Sequence, residues 1–345
     1  MTRETPRLKR DRSLWYEDGN MVIAAAPSDT KKGLLFRVHK FILAMHSPVF
    51  ADMFTLPDIP AETADPEDFY DGVPLVRMYD KAQDVKDLLK YYYEPSSFVV
   101  KRYDPQNPNK IRGLMHLARK YQITPLLDRL IKHLKEDWPQ TLTEWDVIEG
   151  EVKARLESQV DYGYDDHVYV DEVFPEPGTT IRLAREMDIP VVLPAVFYHL
   201  SRLKITRERT SEITDFKIIG GRTADWSALS EEDLRCLLYG RENLQEYKSI
   251  ACRPLIFSCS HKECDALKTL CSAIQVLYDS KDILTGLKDF VPKDQYTQKE
   301  LCVSCWLKVN NLAQNARMDI WKKLPKFFRL PRPSDDWDSD SDMSA

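Results

Sequence analysis

Six thiol or imidazole groups stand at ligand spacing in two short stretches of the chain. CRPLIFSCSHKEC brings Cys252, Cys259, His261 and Cys264 within thirteen residues, and LCVSC adds Cys302 and Cys305. Zinc takes four soft or borderline ligands in a tetrahedron, usually from two close pairs. Cys259-x4-Cys264 and Cys302-x2-Cys305 supply two such pairs, with His261 or Cys252 as alternates for one of the four. A closed structural site of that type stabilises a fold and leaves no open position for substrate. A second reading competes with it. Cys302 and Cys305 fall in register with Leu301, Val309 and Leu312 on a helical stripe, and free cysteine is among the most buried residue types. Both thiols are then core packing, as Cys271 is expected to be. The 37 residues between the two pairs exceed zinc-ribbon spacing, so both readings stay open. A redox-active C-x-x-C ranks behind them.

Histidine 39 is the other residue whose position invites chemistry. It ends LLFRVHK at a strand–helix junction, where an imidazole can bond backbone groups and fix the turn. No nucleophile or acid stands beside it in sequence, so its expected role is structural. The acid pairs Asp165-Asp166, Glu231-Glu232 and Asp335-Asp336 fall in loops, caps or tail, the ordinary places for solvated carboxylates. The chain lacks G-x-G-x-x-G, the phosphate-loop pattern, G-x-S-x-G, H-E-x-x-H and the kinase H-R-D set. The expectation is a protein that is not an enzyme.

These groups need a scaffold, and the bulk properties describe one. The 345 residues suffice for two domains, and 43% hydrophobic with 30% charged residues is the balance of a folded chain. A net charge of −6 gives no general attraction to phosphate backbones, so nucleic acid is not an expected partner. MTRETPRLKRDR has no apolar core and does not read as a secretory signal. IPVVLPAVFYHL, interrupted by two prolines, is too short to span a bilayer. All seven cysteines lie from Cys236 onward, an odd and one-sided set that suits a reducing compartment, cytosol or nucleus.

The patterning predicts a flexible basic arm over 1–14 and an α+β domain over 15–138. MVIAA and LLFRVHK read as two strands of a hairpin, because Leu34, Phe36 and Val38 alternate with Leu35, Arg37 and His39. Helical spacing follows at Ile42, Met45, Val49 and Met53, broken by Ser47-Pro48, an N-cap followed by a proline at the first helical position. Phe41, Phe50 and Phe54 are expected to thicken this stripe, and Met45, Phe50, Met53 and Phe54 are read as core. VPLVRMYD is a third strand, KAQDVKDLLKYYYEP a helix and SFVVKRY a further strand-like piece. NKIRGLMHLARKY and TPLLDRLIKHLKEDW then read as a helical pair.

From 139 to 332 the chain reads as mostly helical. Trp145, Ile148, Val152 and Leu156 share a helical face, and an acidic surface loop is expected near 159–178. Helices follow at TIRLAREMD, PAVFYHLSRL and SEEDLRCLLYG, the last opened by a Ser230–Asp233 capping box, then at 263–280 and 297–323. The tail 333–345, with five aspartates and two serines (Ser339, Ser341) in an acidic setting, is expected to be disordered.

WYEDGNMVIAA followed by LLFRVHKFILAMHSPVFADMF resembles the opening of a BTB/POZ domain: strand, turn, strand ending F-x-V-H-K, then a helix closing S-P-V-F-x-x-M-F. VPLVRMYD resembles that domain's third strand, DLLKYYYEP its helix before the central turn, and LMHLARKYQITPLL its closing helical hairpin. The pieces keep the family's order and separations over about 15–138. IRLAREMDIPVVLPAVFYHL, SEEDLRCLLYGRENL and IWKKLPKFFRLP are similar to chains of basidiomycete fungi that carry this domain near the N-terminus. The resemblance implies a protein-interaction module that forms homo- or hetero-oligomers. It also implies two alternatives, a substrate adaptor of a cullin-type ubiquitin ligase and a zinc-stabilised nuclear transcriptional regulator. His39, Phe41, Met45, Phe50, Met53 and Phe54 are its interaction or structural residues here. Many family members place an aspartate before the first strand, in a charged pocket at the dimer interface. That place holds Asn20, or Asp18 after a short shift. The cullin-binding pattern is matched only nominally, by YYYE, and no cullin contact residue carries over.

Overall fold

An unbroken apolar run such as MVIAAA makes a stable strand only when both of its faces are covered. The computed structural model describes residues 8–26, 33–56, 65–159, 174–206, 223–253, 259–260, 264, 271, 274–275, 277, 280–289 and 301–331. There the run forms β2 (Met21–Ala26), the central strand of a five-stranded sheet ordered β1-β3-β2-β5-β4. Its first five residues are buried. It pairs antiparallel with β3 (Leu34–Val38), Met21 opposite Val38 and Ala25 opposite Leu34, which is the expected hairpin. On its other side it runs parallel to β5 (Val73–Lys81), whose outer neighbour is the short antiparallel β4 (Phe69–Tyr70).

Residues Lys9–Trp15 form β1, parallel to β3, so the basic arm is a strand from Lys9 onward. Residues 1–7 of that arm lie outside the described residues. The charge that argued for a solvated end is neutralised at long range. Asp11 is buried, receives the Lys86 ammonium at 2.6 Å, and accepts from the Ser13 N–H and hydroxyl. Arg10 lays its guanidinium over Trp15 and Tyr70 and bonds the Tyr70 hydroxyl at 3.0 Å.

Helices α1 (Lys40–His46) and α2 (Pro48–Thr55) follow β3, divided at Ser47 as the Ser-Pro step predicts. Ser47 is the N-cap of α2, its hydroxyl accepting the Phe50 N–H at 3.2 Å, and Pro48 takes the first helical position. Helix α3 (Ala82–Tyr93) lies against β1, β2 and β5, burying Ala82, Val85, Leu88 and Leu89. The pair α4 (Asn107–Lys120) and α5 (Thr124–Asp137) buries Ile111, Leu114, Leu117, Leu126, Leu130 and Leu134.

SFVVKRY forms no strand. Its last residue has φ +63°, and the Tyr103 N–H goes to the Asp137 carboxylate at 2.9 Å instead of a sheet neighbour. Asn107 bonds the same carboxylate. The chain accordingly divides into one unit of residues 1–102 with 109–133 and another of 103–108 with 134–345. The division between the two units falls inside α5.

In the second unit α6 (Leu142–Gln159) buries Trp145, Ile148 and Val152. Leu156 lies outside the residues whose side chains are described. Helix α7 (Pro177–Glu186) is capped by Glu176, whose carboxylate accepts the N–H groups of Gly178, Thr179 and Asp225. Residues 174–178 are buried, so the acidic surface loop does not extend to them; 160–173 lie outside the described residues. The apolar IPVVLPAVFYHL becomes a short turn and α8 (Leu193–Ser201), buried along its length apart from Pro194. Helix α9 (Glu231–Cys252) opens with both halves of the Ser230–Asp233 capping box and runs twelve residues past Gly240, where the sequence reading stops. Helices α10 (Ile283–Asp289) and α11 (Val303–Phe327) follow among the described residues, α11 packing on α6, α8, α9 and α10. Most of the helix expected at 263–280, and the acidic tail, lie outside the described residues. Among the described residues no helix is long and apolar enough to cross a membrane.

Candidate docking face and metal centre

The residues assigned to the first unit separate into a buried set and an exposed set. Phe50 is buried, stacked on Tyr121 at 4.7 Å and on Phe54 at 6.2 Å. Met53 and Phe54 are half-buried. Phe41 and Met45, expected in a buried stripe, are 73% and 60% exposed. Helix α1 has only seven residues, and it turns Leu43 inward rather than the Ile42–Met45 side. Phe41 and Met45, four apart, therefore share one outward helical face.

His39 stands at the N-cap position of α1. The Tyr93 hydroxyl accepts the His39 backbone N–H at 2.8 Å and meets the imidazole Nδ1 at 3.0 Å. The imidazole Nε2 lies 3.3 Å from the Asp18 carboxylate, and Tyr16 stacks on Tyr93 with ring centres 4.5 Å apart. Asn20 accepts the Lys40 N–H at 2.8 Å, so Asp18 and Asn20 both serve the start of α1. The imidazole was expected to bond backbone groups; its contacts here are with the side chains of Tyr93 and Asp18. Tyr93 and Tyr16 were missed because they stand 54 and 23 residues away in a chain rich in tyrosine. No local pattern marks them.

In the second unit the two cysteine pairs converge. The sulfurs of Cys259, Cys264, Cys302 and Cys305 all lie within 4.8 Å of one another. Cys259 and Cys302 sulfurs are 3.8 Å apart, and the Cys302 N–H donates to the Cys264 sulfur at 3.3 Å. Cys302 is the residue ahead of α11, not a member of its stripe, and its carbonyl accepts the Trp306 N–H. The nearby Cys305 backbone N–H brings the Cys302 thiol down to about 7. Burial pushes the Cys264 and Cys305 thiols up. Cys305 is buried, whereas the other three are half-exposed. Four thiols so placed could hold a metal ion. His261 and the Cys252 side chain lie outside the described residues. Cys271, read as core, is exposed.

A cavity of about 220 Å³ in the same unit is lined by Ser201, Arg241, Leu244, Gln245, Lys248, Ser280, Lys281 and Ile283. Arg241 donates to the Ser201 and Leu203 carbonyls, and Lys248 to that of Ser280. Arg241 and Lys248 thus hold the surrounding backbone.

Residues 29–137 match the family model of the BTB/POZ domain, a protein-interaction module. The match takes in β3 to α5 and starts after β1 and β2. The architecture is α+β, an N-terminal BTB/POZ domain followed by a helical region. No curated protein matches the chain.

Proposed function

We propose that the chain is a non-enzymatic docking protein that self-associates through its BTB/POZ domain, by covering the Phe41–Met45 face of α1 on a second copy. The observation that carries this reading is the exposure of those two large apolar side chains beside a hydrogen-bonded strand–helix junction. The His39–Tyr93–Asp18 contacts and the Asn20 bond to the Lys40 N–H tie down the start of α1, which lowers the ordering cost of binding. A stable interface of this kind buries about 1,200–2,000 Å² in total. The helical region is then free to recruit a further protein, in the cytosol or nucleus where its thiols stay reduced.

Light scattering on the full chain across a hundredfold concentration range tests this. A mass of two or more chains that falls on dilution supports it. A single-chain mass throughout overturns self-association and leaves hetero-docking, for which affinity purification with mass spectrometry is the assay. Recovery of a cullin there would make the protein an adaptor.

A further inference from the structure

We propose that Cys259, Cys264, Cys302 and Cys305 bind one zinc ion as a closed tetrathiolate that ties the chain at Cys259 and Cys264 to the first turn of α11. The proposal is independent of the docking reading.

Geometry carries it first. With zinc–sulfur bonds of about 2.3 Å, the edge of a regular tetrahedron of sulfurs is about 3.8 Å. The Cys259–Cys302 separation is 3.8 Å, and no pair among the four exceeds 4.8 Å. A slight contraction of the longer edges brings all four onto one ion.

Core packing fits the placement less well. A thiol buried for its apolar character lies among aliphatic neighbours and away from water. Three of these four are half-exposed, and they face one another. Cys302 also stands outside the α11 stripe to which the packing reading assigned it.

Charge and the neighbouring hydrogen-bond donors fit the same site. Four thiolates around a divalent cation leave two net negative charges, which need nearby donors. The Cys302 N–H already donates to the Cys264 sulfur, and Cys302 at the N-cap and Cys305 in the first turn stand at the start of a 25-residue helix, whose amino end favours negative charge. Sulfur donors in a tetrahedron select zinc over magnesium or calcium. With every position filled by protein, the ion has no vacancy for substrate, so it acts as a clamp. Each thiol that still carries its proton gives it up to solvent on binding.

The test uses the full chain, grown in zinc-supplemented medium and purified without chelator. Elemental analysis is expected to give one zinc per chain. Cys259→Ser and Cys302→Ser should each reduce that to a small fraction, whereas Cys252→Ser and His261→Ala keep it. Because the cysteine variants could simply fail to fold, the wild-type protein is also stripped and refilled with cobalt(II). Intense ligand-field bands with sulfur-to-cobalt charge transfer of a four-thiolate tetrahedron support the assignment. A three-thiolate, one-imidazole spectrum, iron in place of zinc, or a folded chain that takes up no metal would overturn it.

Discussion

The Ser47 hydroxyl donates to the Tyr121 carbonyl at 2.6 Å, joining two residues 74 apart in the chain. The same oxygen accepts the Phe50 N–H and so caps α2. One buried hydroxyl thus starts a helix and also satisfies the carbonyl just past the end of α4, next to the Phe50–Tyr121 ring stack.

Ser47→Ala removes both bonds and leaves a buried N–H and carbonyl without that partner. Loss of a cap costs about 1 kcal/mol and an orphaned buried polar group about 1–3 kcal/mol. Urea unfolding followed by circular dichroism is expected to show a loss of about 2 kcal/mol with an unchanged slope. A change below about 0.5 kcal/mol, ordinary for an exposed site, would contradict the double role.

A second prediction concerns acid stability. Burial alone would raise the Asp282 carboxyl, but the Arg202 guanidinium and the Thr285 N–H beside it hold it at about 2. Arg202 also bonds Glu149 at 2.9 Å and lies over the Trp145 ring at 4.5 Å. The folded-state value lies below the unfolded one, so the stabilisation is complete above about pH 4 and is lost as pH falls toward 2. A depression of about two units corresponds to about 2.5 kcal/mol. Thermal unfolding at closely spaced pH values should show a steeper acid limb in the wild type than in Asp282→Asn. At neutral pH that variant, which leaves the buried guanidinium short of a counter-charge, should lose about 3–5 kcal/mol.

Gly240 gives a third. A Cβ there would stand 1.9 Å from the Phe328 ring, which is fully buried and packed on Phe197. In an open helix Gly→Ala gains about 1 kcal/mol, but here the ring has nowhere to move, and overpacking costs about 1–3 kcal/mol or more. Gly240→Ala should therefore destabilise. Phe328→Leu in the same chain should recover part of that loss, so the double-mutant cycle is less than additive.

What could be read in advance follows the range of the interactions. The Ser47-Pro48 step and the Ser230–Asp233 box are local, and each set a helix start correctly. The cysteine pairs were legible as pairs, because ligand spacing is local, whereas their meeting across 37 residues was one of two readings that the sequence left open. Strand β1 was illegible because KRDRSLW looks solvated until Lys86, 75 residues from Asp11, supplies the opposing charge. Gly240 looked like a helix end because a lone glycine does not announce the ring that requires it. The inward side of α1 was misjudged for a related reason. Seven residues are two turns, too few for periodicity to choose a face.

That misjudged face yields the last prediction. Phe41 and Met45 are exposed, so polar replacements there should leave stability within about 0.5 kcal/mol of the wild type. The replacements are best matched to the helix ends. Phe41→Glu puts an anion in the first turn of α1, and Met45→Lys puts a cation in the last, each agreeing with the helix dipole. Phe50→Ala is the contrast, since truncating a buried aromatic costs about 3–5 kcal/mol. If the face docks a second copy, Phe41→Glu and Met45→Lys lower the mass seen by light scattering while the melting temperature holds. A wild-type mass for both variants would move the contact elsewhere on the domain, and a fall in melting temperature comparable to that of Phe50→Ala would mean that the two side chains support the fold itself.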